Sequence, residues 1–184
     1  MFLSNHAAVG ALLAVHTDNP ASAFVLGYFS HYLLDMIPHG DEKVGTWMKE
    51  KHTNLRSAGV LLADLSITAI FFLSLSWKID FPHPYVAAAG VFGAMLPDFL
   101  YGFYDLIRKY LSPEKKQHYR EKGGWLIKLA KRSLWDNFLL ERHFYIHRKI
   151  HFALGYNISF PKGMIFQAVL LGFLYWSTLN YLSI

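Results

Sequence analysis

No cysteine occurs among the 184 residues, which excludes disulfides, thiolate metal sites and cysteine nucleophiles. Charge is also sparse. Asp, Glu, Lys and Arg make up 17% of the chain, against 53% hydrophobic and 17% aromatic residues. A soluble domain of this size carries more charge, so the composition points to a polytopic membrane protein. No Lys or Arg precedes Lys43. A cleaved secretory signal starts with basic residues, so none is expected. No repeat, low-complexity tract or nucleic-acid motif stands out, and the aromatic residues lie in apolar runs rather than among the basic ones. The pI of about 9.3 therefore points to membrane lipid, with anionic phospholipid headgroups as partners, and to no nucleic acid.

What the chain does have is apolar segments. Residues 2–16, 21–37, 57–77, 84–107 and 164–182 predict an all-α fold, a polytopic membrane helical bundle forming a single membrane domain. The last three are long enough to cross a bilayer. The first two are short, and Thr17-Asp18-Asn19-Pro20 closes them into a hairpin that spans a thinned bilayer or lies partly against protein. Residues 108–162 read as a helical insert. It holds a polar helix over 113–122, ended by Gly123-Gly124, and a longer amphipathic basic helix over 125–152. Lys43, Lys49, Lys51 and Arg56 lie between the second and third segments, and thirteen further basic residues run from Arg108 to Lys162. Only Lys78 falls in the other short loop. Basic loops stay cytoplasmic, so both basic stretches are expected on the cytoplasmic face of a plasma membrane.

The chemistry concentrates at the end of the second segment. His31 and Asp35 are four residues apart, so a helix projects them from one face, a spacing that suits two ligands of one metal ion. Pro38 and Gly40 stop the helix and let His39 and Asp41 fold back. Counted from the basic face at about 1.5 Å per residue, His31, Asp64 and Asp98 lie roughly 9, 10 and 14 Å deep. His6 enters the first helix from the same side. A carboxylate in a membrane helix costs several kcal/mol unless it meets a cavity, a partner or a cation, and a divalent metal supplies the cation. His143, His147 and His151 follow at successive turns of the basic insert, where they could cap the same site. Competing readings are a satisfied packing pair for His31 and Asp35, polar helix packing for Asp64, and a carboxylate bonding an amide freed by Pro97 for Asp98.

Several short motifs share a pattern: His6-Ala7-Ala8-Val9-Gly10, Gly27-Tyr28-Phe29-Ser30-His31 continuing to Asp35, Leu96-Pro97-Asp98, and His147-Arg148-Lys149-Ile150-His151. Together they resemble the LexA-regulated membrane-bound metal-dependent hydrolases of the bacterial inner membrane. In that family the S-H-x-x-x-D motif follows L-P-D, whereas here it precedes it, and the His147 to His151 spacing is one residue shorter. The resemblance implies shared polar positions at His6, His31, Asp35, Asp98, His147 and His151.

These readings converge on an integral membrane hydrolase dependent on a divalent metal, with zinc favoured, and a site at the cytoplasmic interface. His6, His31, Asp35 and Asp98 are the leading ligands, with His147 and His151 beside them, and Asp64 or His39 as general base. The substrate class is a phospholipid or another phosphoester. The alternatives are a metal- or proton-translocating protein, whose polar pathway should continue to the opposite face, and a non-enzymatic membrane interaction protein.

Overall fold

In the computed structural model of the chain, the described residues are 1–40, 44, 47, 53–78, 83–110, 134–151, 153–154 and 158–182. The helix expected at 113–122, the start of the 125–152 segment and Asp41 lie outside them. The described residues are helical, with six helices in order: α1 (Leu3–Ala14), α2 (Pro20–Asp35), α3 (Thr53–Lys78), α4 (Pro84–Tyr110), α5 (Leu134–His151) and α6 (Phe160–Leu182). Three are long and apolar enough to cross a membrane, over Leu55–Leu75, Pro84–Tyr104 and Phe160–Tyr181. Both α3 and α6 begin four residues before the expected apolar segments. Their first turns contain Arg56 and Lys162, which a search for apolar runs leaves out.

Local chemistry explains the hairpin of α1 and α2. The Asn19 side chain accepts from Ala21 N at 2.8 Å and from Ser22 N at 3.3 Å, and Pro20 opens the helix with its fixed φ. The start of α1 lacks a capping side chain of its own. Asp64 of α3 substitutes, accepting from Leu3 N at 2.6 Å and Ser4 N at 3.0 Å. A membrane-span carboxylate thus satisfies amides that the helix leaves unpaired.

The chain divides into two compact units, one of residues 1–96 and 151–184, the other of residues 97–150. The division falls at Pro97, inside α4. In the first unit α1 packs against α2, α3 and α6. Most of α1 is buried, including His6, Ala7, Ala8 and Ala11 at 0% exposure, so this short helix is covered by protein. The outer face of α3 is the opposite case. Leu62, Ile70 and Leu73 are each more than 60% exposed, the pattern of a lipid-facing surface. Trp176 and Tyr181 are exposed, as aromatic residues at a membrane interface are, whereas Tyr175 turns inward to meet Phe71 edge-on.

Glycines set the helix spacing. A Cβ at Gly10 or at Gly27 would strike the carbonyl of Gly90, and one at Gly90 would strike the carbonyl of Gly10. The α1, α2 and α4 backbones therefore meet where only hydrogen atoms fit, as small-residue contacts between membrane helices do. In the second unit, Tyr101 stacks on Phe144 with centroids 4.6 Å apart, and Tyr104 meets the same ring at 5.0 Å.

Gly90→Ala is expected to lower stability by about 1–3 kcal/mol through overpacking. Gly59→Ala, where a Cβ meets nothing within 4 Å, should be neutral or slightly stabilising. Thermal unfolding in detergent compares the two, and equal melting temperatures would refute the close crossing.

Candidate metal centre

Asp35 closes α2 and is 1% exposed. Each of its oxygens faces an imidazole: His31 Nε2 lies 3.2 Å from Oδ2, and His6 Nε2 lies 3.1 Å from Oδ1. The nitrogen of Met1 is 2.7 Å from the same Oδ1. The two rings stack with centroids 4.0 Å apart, while Gly10 of α1 and Gly27 of α2 both close on Gly90 of α4.

His39 reaches the same carboxylate from the chain after α2. Gly40 takes a left-handed φ of +72°, which glycine adopts without strain. His39 then lies 3% exposed. Its carbonyl accepts from Gln167 Nε2 at 3.0 Å and sits where a Cβ on Gly163 would be. His151, the last residue of α5, belongs to the first unit, and its ring lies 4.8 Å from that of His39. Asp35, His39 and His151 each offer a ligand atom, all within 4.8 Å of one another. Such a group could hold a metal ion once its ligand atoms close to the roughly 3.3–3.6 Å separations that tetrahedral bonds of about 2.0–2.2 Å impose.

The backbone orients the imidazoles. His39 Nδ1 donates to Ile37 O at 2.7 Å, and His31 Nδ1 donates to Ala94 O at 2.8 Å. In a neutral ring that bond puts the proton on Nδ1 and the lone pair on Nε2. Ligand histidines are commonly set this way by a carbonyl or carboxylate. The outer support of these two rings is therefore main-chain oxygen.

The other expected site residues have different surroundings. Both carboxylate oxygens of Asp64 hold the start of α1, which matches the polar-packing reading of this residue. Asp98 and His147 lie in the second unit, paired at 3.4 Å. Beside them His143 Nε2 donates to Pro97 O at 2.9 Å. Gln167 escaped the sequence reading, although it binds both Phe2 N, at 2.8 Å, and the His39 carbonyl. Its signal was visible as a buried-type amide in an otherwise apolar span. No family model, curated protein or solved structure matches the chain. The family resemblance therefore stands on its short motifs.

If the centre holds a divalent ion, Gly163→Ala, by displacing the His39 carbonyl, should weaken that binding about 10–100-fold, the usual effect of disturbing a ligand's support. Gly172→Ala, where a Cβ meets nothing within 4 Å, should leave affinity unchanged. Chelator competition measures both, and equal affinities would remove His39 from the centre.

Proposed function

We propose that this chain is an integral membrane hydrolase that depends on a divalent metal, with Asp35, His39 and His151 as protein ligands. The convergence of those three ligand atoms within 4.8 Å carries the reading. Two imidazoles and one carboxylate suit zinc, and three protein ligands leave a coordination position for water or substrate, as catalytic zinc sites do. When bound, such an ion acidifies a water and polarises a phosphoryl or carbonyl oxygen.

The chain's own residues supply the rest. His6 and His31, each with Nε2 within 3.2 Å of an Asp35 oxygen, flank the carboxylate on its two sides. Ile37 O keeps the His39 proton on Nδ1, which fits His39 for ligation rather than for the general-base role. Asp64 keeps α1, and with it His6, in place. A phosphoester presented at the membrane interface is the substrate class favoured by the basic loops. The charge pattern and the family resemblance support a bacterial inner membrane with those loops in the cytoplasm. Asp98 and His147 carry two further motifs of that resemblance.

Elemental analysis of protein purified in mild detergent should find roughly one zinc-class ion per chain. Asp35→Asn and His39→Ala should lose it by more than the ~10–100-fold typical of outer-shell changes. Hydrolysis of a chromogenic phosphoester should fall in parallel. Wild-type protein that binds no divalent ion when zinc is supplied would end the reading. Metal flux into liposomes without hydrolysis would assign the same residues to transport.

A further inference from the structure

We propose that a groove between α3 and α6 binds one acyl chain of an anionic membrane phospholipid, with Arg56 at its mouth to receive the headgroup. The groove holds about 580 Å³, within the ~300–1,000 Å³ range of small-molecule sites. Val60, Ala63 and Ile67 line it from α3, Phe160 and Met164 from α6, and Trp47 from the preceding segment. Positions 60, 63, 64 and 67 recur at helical spacing, so one face of α3 forms the wall. Ile67, Met164 and Trp47 are 46%, 37% and 46% exposed. The groove is therefore open at its side.

The surroundings choose the occupant. Both walls belong to helices long and apolar enough to span a membrane, and the neighbouring face of α3 exposes Leu62, Ile70 and Leu73. The medium at that face is acyl chain. Water would find few polar partners there, since the Asp64 carboxylate already accepts two amides of α1. Arg56 lies one turn before Val60. Its guanidinium stands 4.6 Å over the Trp47 ring, and Nη1 donates to Trp47 O at 2.7 Å. A cation is thereby held beside the ring that lines the groove, which favours an anionic headgroup over a zwitterionic one. Residues 41–56 carry four basic and three acidic side chains, so the preference rests on where Arg56 stands rather than on net charge.

The groove also connects to the candidate metal centre. Phe2 lines it, Phe2 N donates to Gln167 Oε1, and Gln167 Nε2 donates to His39 O. An acyl chain against Phe2 therefore lies two hydrogen bonds from a candidate ligand. The binding site stands apart from catalysis, and its test needs neither metal nor turnover.

The full chain, stripped of metal with chelator, is reconstituted into phosphatidylcholine vesicles doped with phosphatidylglycerol whose acyl chains are dibrominated. The bromines quench tryptophan on contact. Subtracting the signal of Trp47→Phe isolates Trp47. Its quenching is expected to saturate at a lower mole fraction of brominated phosphatidylglycerol than of brominated phosphatidylcholine. Arg56→Gln should reduce that preference about fivefold, the effect of one basic residue at a surface. Ala63→Phe, at an exposed position on the wall, should abolish the saturable component. If that variant does not fold, the Arg56→Gln comparison decides. Trp47 quenching that rises in proportion to bulk bromine, or that saturates equally for the two headgroups, would overturn the proposal.

Discussion

A carboxylate buried among apolar helices is the constraint on which the first unit depends. Asp35, 1% exposed, needs compensation that the surrounding hydrocarbon side chains cannot give, since leaving a buried charge unpaired costs several kcal/mol. The fold answers with the Met1 ammonium, 2.7 Å from Oδ1, and sets His6 of α1 and His31 of the same helix against the two oxygens. The approach of α1 and α2 to the α4 backbone at Gly90 brings these groups together, and the left-handed Gly40 with the seat at Gly163 sets His39 beside them.

Helix packing supplies the second condition. Hydrophobic burial drives little association between helices that lipid solvates equally well, so contact between backbones and internal polar bonds must hold the bundle. Gly10, Gly27 and Gly90 provide the contact, and Asp64 with Gln167 provide the bonds. The same groups set the height of α1. Because α1 is short and almost wholly covered, it acts as an internal strut that carries His6.

Membrane class, all-α architecture and the positions of the apolar helices were legible from composition and run length, because those signals are local. So was the His31–Asp35 pair, which four-residue spacing places on one face whatever surrounds it. The helix stop at Pro38 and the return of His39 were legible from turn chemistry. Asp64 was harder. A lone carboxylate in an apolar span reads equally well as a site or as a partner for a neighbouring helix, and only the position of α1 distinguishes them. Gln167 carried no charge to draw attention, yet its amide joins the start of α1 to the His39 turn.

By itself the sequence determined what each segment must avoid: water for the apolar runs and hydrocarbon for the ionisable side chains. It also determined which donors exist, imidazole and carboxylate without thiolate. Tertiary structure decided which donors meet. His39 and His151 are separated by 111 intervening residues, yet their rings are 4.8 Å apart. Asp64, at a similar depth to His31, was turned to a helix start. Depth along a helix is a one-dimensional quantity that counting recovers. The rotation of each helix about its axis, which selects the neighbour a side chain faces, comes from packing all of them together.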